Sequence, residues 1–304
     1  MPAGVPTNYT ERWLLWAMKW VQQHYQTDPN KVYAFGASMG TGVLRLVLRN
    51  PDKFSSVDLL VPILDPFGEG TVGQRMKARV GEPESICSDG MKLSDRLNTI
   101  KLVESSKTDI PPVVLRVGRS DKGVTWLRKP VLIKTLQGQK QSVFAGWDNG
   151  THSTAMRKSY EGFPDWYDFK WYASRFAINM SYPVFTGFSL DDDPGNGDEN
   201  VGDTAGFINR GLNWKVISDT KSDYRVLVTV DLPDVTYPVF VNISPRRLQN
   251  FPGNNKTIVY AANINDKEKV IEKKTLTIDK GIFTYDRFAI TSAAGNVLLV
   301  KEDK

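Results

Sequence analysis

The sequence predicts an α/β protein: a parallel sheet flanked by helices, followed by a β-sandwich. Three observations predict it. Short apolar runs alternate with helical segments up to about residue 155. Near residue 177 the pattern changes to short runs bounded by turn residues, without a convincing helix. Beyond it, Tyr224, Val226, Val228 and Val230 alternate with Arg225, Leu227 and Thr229, the period of a strand with one buried face. The 304 residues suffice for one large or two ordinary domains. We expect a catalytic-type region at 1–176 and a β-sandwich at 177–304, with the boundary falling within 172–185.

The elements follow in order. Residues 10–25 read as a helix, with Thr10 as N-cap and Trp13, Ala17, Trp20 and Val21 on one apolar face. Asp28-Pro29-Asn30 is a turn, and Val32 to Phe35 a short buried strand. Residues 39–50 form a second helix that ends before Pro51. Val57 to Leu64 is the next apolar run, and 67–110 is mixed, with only weak helical patterns. Pro111-Pro112 introduces a strand at 113–117, ending in Gly118-Arg119-Ser120-Asp121. Residues 124–137 are helical, with Pro130 starting or interrupting the helix. Ser142 to Ala145 is a further strand, leading into Gly146-Trp147-Asp148-Asn149-Gly150-Thr151-His152. Later strands are expected at 238–243, 256–262, 269–277, 282–290 and 297–301. No internal repeat is visible.

Composition excludes several functions. A single cysteine, Cys87, allows no intrachain disulfide and no cysteine metal cluster. Two histidines, His24 and His152, rule out a multi-histidine zinc site. No apolar run is long enough to span a bilayer. The net charge of +5 is spread among residues of both signs. Its densest cluster, Asp266, Lys267, Glu268, Lys269, Glu272, Lys273 and Lys274, is mixed, so no nucleic-acid stripe is present. The N-terminus lacks a basic-then-apolar-then-small leader pattern and assigns no compartment. A longer N-terminus would be compatible with secretion or the periplasm.

The stretch VYAFGASMGTG at 32–42 carries the chemistry. Gly36-Ala37-Ser38-Met39-Gly40 fits G-x-S-x-G, with an apolar strand before it and an amphipathic helix after it. Such a turn holds the serine in a strained conformation with its hydroxyl above the sheet. The Met39 amide then becomes a donor to an oxyanion. A serine hydroxyl needs a base. His24 precedes the strand, and His152 is the only histidine after Ser38, in a loop that follows a strand. The orienting carboxylate should follow a strand end between them. Asp121 does; Asp65, after the previous strand, is second, and Asp148, in the histidine's own loop, third.

The segments DPNKVYAFGASMGTG, PPVVLRVGRSDKGVTW and GWDNGTHS make residues 10–155 resemble α/β-hydrolase-fold esterases and peptidases. The resemblance implies a serine hydrolase with Ser38 as nucleophile, Asp121 as acid and His152 as base, needing no cofactor. The β-rich remainder resembles the C-terminal part of uncharacterised bacterial hydrolase-like proteins. Only 31 residues precede Val32, too few for the strands that usually come before the nucleophile strand. The expected fold is therefore a partial α/β-hydrolase sheet followed by a β-sandwich. An exposed sheet edge at the nucleophile strand would favour self-association.

A small ester, or an ester carried on a glycoside, is the expected substrate, since no peptide-binding domain is visible. No nucleic-acid or membrane partner is expected. The competing expectation is an inactive hydrolase-like protein that binds carbohydrate or a partner through its β-sandwich. Residues 191–203, DDDPGNGDENVGD, read first as a solvated acidic loop. The second reading is a structural calcium on Asp192, Asn196, Asp198, Asn200 and Asp203, although Pro194 occupies a position where a ligand would be needed. Most of the eight tryptophans are expected in the core or at the domain junction, with Trp126 and Trp147, near the site loops, as candidates to line a substrate cleft. Arg246-Arg247 are expected in an exposed turn that meets an anionic substrate at most.

Overall fold

The structure, a computed structural model, describes residues 5–165, 168–251, 258–265, 267–278 and 282–302. Trp166, Asp266 and the start of the strand expected at 256–262 lie outside them. The helices are α1 (Tyr9–His24), α2 (Val43–Arg49), α3 (Gly70–Val80), α4 (Leu93–Leu97), α5 (Thr99–Glu104), α6 (Lys129–Gly138) and α7 (Phe169–Arg175). The first strands are β1 (Tyr33–Ala37), β2 (Ser56–Leu60), β3 (Val113–Gly118) and β4 (Val143–Asp148). Then come β5 (Tyr182–Thr186), β6 (Gly206–Ile208), β7 (Leu212–Asp219), β8 (Asp223–Val230) and β9 (Val239–Arg246). The last are β10 (Ile258–Ile264), β11 (Val270–Thr277), β12 (Tyr285–Ile290) and β13 (Asn296–Glu302).

β1 to β4 run parallel in the order β1-β2-β3-β4, and β6 adds antiparallel beside β4. Period-two alternation sends successive side chains to opposite faces. Val113, Leu115, Val117, Val143 and Ala145 pack on one face against Leu44 and Val47 of α2, Val103 of α5 and Leu132 and Leu136 of α6. Val114 and Phe144 point the other way, into a core shared with Tyr172 of α7 and with Tyr182, Val184 and Trp214 from the later strands. Each fully buried aliphatic side chain here contributes about 1.5–3 kcal/mol. The two remaining sheets, β11-β10-β13-β8-β7 and β12-β9-β5, share one core, with Val226, Val228 and Leu298 of the first and Val241, Ile243 and Phe288 of the second in the same cluster, a β-sandwich-like arrangement. The inward set of β8 is the predicted one: Tyr224, Val226, Val228 and Val230 are buried.

Local details differ from expectation for identifiable reasons. The cap of α1 is Asn8, whose side-chain oxygen accepts the Glu11 amide at 3.1 Å; Thr10 sits inside the helix. Leu15 and Met18 of α1 face the core, while Trp13 and Trp16 stay 62% and 60% exposed. The apolar run from Val57 stops being a strand at Leu60, because Val61 turns with φ at 45°. The mixed stretch 67–110 contains α3, α4 and α5, whose short apolar faces gave little periodicity. Pro130 lies in the first turn of α6, where its missing N–H costs nothing. β5, β6 and β7 carried no strand pattern strong enough to be read beforehand.

Candidate active site

β1, β3 and β4 deliver the three predicted residues at the same, C-terminal, edge of the sheet. β1 ends at Ala37 and the chain turns at Ser38, whose φ of 51° lies in the left-handed region. A non-glycine residue adopts that conformation only when its surroundings enforce it. The enforcement is visible. A tight 3₁₀ turn runs through Ser38–Gly42, and the buried Thr41 hydroxyl donates to the Ser38 carbonyl while accepting the Ile63 amide at 3.0 Å. Gly36 lies against the turn: a Cβ there would stand 2.4 Å from the Gly40 carbonyl oxygen. Gly40 itself faces open space.

His152 Nε2 lies 2.9 Å from Ser38 Oγ, and its Nδ1 lies 2.6 Å from Asp121 Oδ2. Both bonds form in the tautomer with the proton on Nδ1, which donates to the carboxylate and leaves Nε2 to accept the serine hydroxyl. Asp121 is 1% exposed, and its other oxygen accepts the amides of Gly123 and Val124 at 2.8 and 2.9 Å. The carboxylate is thus fixed on both oxygens, while the imidazole is open to solvent at 40% exposure. Met39 follows Ser38 in the turn, with its side chain exposed.

The two other carboxylates are engaged elsewhere. Asp65 accepts the Gly68 amide at 3.2 Å and faces Arg128 at 3.6 Å. Asp148 accepts the Gly150 amide at 2.9 Å, the Met156 amide at 3.0 Å and the Tyr160 hydroxyl at 3.4 Å. Burial and the facing Asp148 push the Tyr160 phenol above its usual range. His24 accepts no such role: it stacks on Trp20 and bonds the Trp20 carbonyl on the outer helix α1.

Several residues around the site gave no pattern in the sequence. Glu69, fully buried, accepts the Leu64 and Asp65 amides at 2.8 and 2.9 Å and pairs with buried Lys129 at 2.9 Å. Burial holds the Lys129 ammonium below its usual pKa, with Glu69 opposing the shift. Beneath the sheet, Arg116 pairs with Asp58 at 2.5 and 2.7 Å, and the Tyr172 hydroxyl donates to the same carboxylate. Burial raises the Asp58 pKa despite that partner.

Two expectations about side chains are corrected. Trp126 and Trp147 do not line a cleft: they are 1% and 0% exposed and pack together in the core with ring centroids 5.9 Å apart. Arg246 is not an exposed turn residue. It is 4% exposed and bonds Asp109 at 2.8 Å and the Lys140 carbonyl at 2.6 Å, and Arg247 bonds the Pro51 and Phe54 carbonyls. These arginines staple the β-sandwich to the other end of the parallel sheet. A cavity of about 960 Å³ beside them is lined by segments that precede β3 and β4, at the sheet edge opposite Ser38.

The acidic loop closes on itself. Asp192 accepts the Phe207 amide, Asp193 the Gly195 amide, Asn196 the Asp198 amide, Asp198 the Asn200 amide and Asp203 the Asp193 amide, at 2.7–2.9 Å. Among the described residues no group of three or more His, Cys, Asp or Glu is arranged to hold a metal ion. Of the five residues named for calcium, Asn196, Asp198 and Asp203 accept backbone amides within the loop and Asp192 accepts one from β6.

Residues 14–177 match the profile of the Esterase family, described as "Putative esterase", over more than half of the chain. The chain belongs to this esterase family. Its fold is that of the α/β-hydrolase esterases, with a β-rich C-terminal region. No curated protein matches it. Among solved structures, an S-formylglutathione hydrolase from Agrobacterium tumefaciens is 22% identical, with a TM-score of 0.36 over 45% of this chain and 47% of that chain. An acylaminoacyl peptidase from Pyrococcus horikoshii is 15% identical, with a TM-score of 0.38 over 46% and 23%. An acylaminoacyl peptidase in complex with Z-Gly-Gly-Phe-chloromethyl ketone is 15% identical, with a TM-score of 0.35 over 45% and 22%. This chain spans less than half the length of each, and likeness at this level says nothing of substrate.

Proposed function

We propose that the chain is a serine hydrolase, a carboxylesterase that acts on small esters through Ser38, His152 and Asp121. The observation that carries this reading is His152, whose two ring nitrogens meet Ser38 and Asp121 at once. Ser38 Oγ attacks the ester carbonyl carbon as His152 Nε2 takes its proton. Asp121, bonded to Nδ1–H, keeps the tautomer and stabilises the imidazolium. The tetrahedral oxyanion takes a hydrogen bond from the Met39 amide. Collapse expels the alcohol, protonated by His152, and leaves an acyl-serine. Water then attacks that ester, giving its proton to His152, and the second collapse returns Ser38 and releases the acid. Every proton moves between Ser38, His152, water and the alcohol, so the cycle needs no cofactor. Hydrolysis of a short-chain p-nitrophenyl ester tests it: Ser38→Ala should lower turnover by several orders of magnitude, roughly 10⁴-fold or more, with the fold intact. Wild-type turnover in that variant would refute the assignment.

A further inference from the structure

We propose that Arg119 is a positioning residue for the Asp121–His152 pair, and that the acidic loop at 191–203 serves as its backbone cradle; this rests on the reading of Ser38, His152 and Asp121 above. Arg119 stands two residues before Asp121, at the end of β3, and is 3% exposed. Its guanidinium donates to three carbonyls of the loop: Asp203 through Nη1, and Glu199 at 2.5 Å and Val201 at 3.3 Å through Nη2. It lies 5.3 Å from the centre of the Trp126 ring. Trp147, at the end of β4, sends its indole N–H to the same Asp203 carbonyl at 2.8 Å. One stretch of loop therefore clamps the ends of both strands that carry the acid and the base. The Arg119 amide closes the clamp on the Asp148 carbonyl at 2.8 Å.

The arrangement gives the buried guanidinium of Arg119 its hydrogen-bond acceptors. A guanidinium taken out of water needs them. The loop carbonyls supply the acceptors. The planar fork of arginine satisfies three carbonyls at once, which a lysine ammonium does with less fixed geometry. The loop also packs on the 3₁₀ turn at Trp126–Arg128 that follows Asp121. Gly197, with φ at 104°, packs so closely that a Cβ would stand 2.3 Å from the Leu127 carbonyl oxygen. The cradle belongs to the β-rich part of the chain, so that part contributes to the geometry of the site and is not an appendage.

Two variants reach the cradle from opposite sides. Arg119→Met keeps only the unbranched stem of the side chain and removes the carbonyl clamp. Gly197→Ala leaves every residue of the catalytic region in place and pushes the loop off Leu127. Steady-state ester hydrolysis should be measured below the melting midpoint of each variant, together with the rate of fluorophosphonate labelling. Displacement of a positioned group by about 1 Å costs up to roughly 100-fold in rate. The expected result is a kcat loss of about 10–100-fold with KM within about twofold, and labelling slowed in parallel. A purely structural role would lower the midpoint and leave kcat of the folded protein unchanged. Folded Gly197→Ala with wild-type kcat overturns the proposal, whether or not Arg119→Met folds. If Ser38→Ala retains turnover, the nucleophile assignment has failed, and this proposal falls with it.

Discussion

His152 Nε2 and Ser38 Oγ stand 2.9 Å apart although 114 positions separate them in the chain. The pairing follows from topology. Parallel strands present their C-terminal ends at one edge of the sheet, and the loops after β1, β3 and β4 all emerge there. The strand order leaves one strand, β2, between the serine and the acid, and the imidazole spans the gap.

The carboxylates should separate clearly. Asp121→Asn keeps shape but loses the charge that supports the imidazolium and the correct tautomer, and should lower kcat by about 10³–10⁴-fold. Asp65→Asn disturbs a partly exposed pair with Arg128 and should change kcat by no more than a few fold. Parallel kcat measurements decide, and the reverse ranking would move the acid to the end of β2.

The two glycines of the serine turn should not be equivalent. Gly36→Ala places a methyl 2.4 Å from the Gly40 carbonyl oxygen and should collapse activity and lower the thermal midpoint. Gly40→Ala meets nothing within 4 Å and should keep the fold and most of the activity. Thermal melts and ester hydrolysis on the pair read this out.

Arg116→Met should be a stability variant. It strands the buried Asp58 carboxylate without its cation, at a cost of about 3–5 kcal/mol. Tyr172→Phe removes one hydrogen bond to the same group and should cost about 1.5–3 kcal/mol. Denaturant unfolding measures both, and equal effects would show that Arg116 does not neutralise Asp58.

Chelator should leave the thermal midpoint unchanged, and added calcium should not raise it. The loop carbonyls at 199, 201 and 203 already hold the guanidinium of Arg119. A midpoint that falls with chelator and returns with calcium would restore the metal reading.

The elements legible in the sequence are those whose cause is local. The strand before Ser38, the glycine at 36 and the alternation of β8 each follow from short-range sterics or one buried face. Ser38, Asp121 and His152 were singled out from their positions after strand ends, and their side chains lie within hydrogen-bond reach of one another. Asn8 took the cap from Thr10 because the helix began at Tyr9, with its cap two residues earlier than the apolar face suggested. Arg119 was not readable at all: its partners are backbone carbonyls some 80 positions away, and carbonyls leave no trace in residue identity. The same holds for Glu69, which accepts two amides and one lysine. Trp126 and Trp147 were misplaced because closeness to site loops in sequence does not say which side of the sheet a ring faces. β6 has three residues, too few for periodicity, and is a strand because β4 offers it an edge.

The most direct test of the nucleophile assignment is covalent. A fluorophosphonate should add once to the folded protein, and peptide mass spectrometry should place the adduct on Ser38. The Ser38→Ala variant should remain unlabelled, and His152→Ala should label far more slowly. Folded wild-type protein that takes no label, or takes it on another residue, would contradict the account.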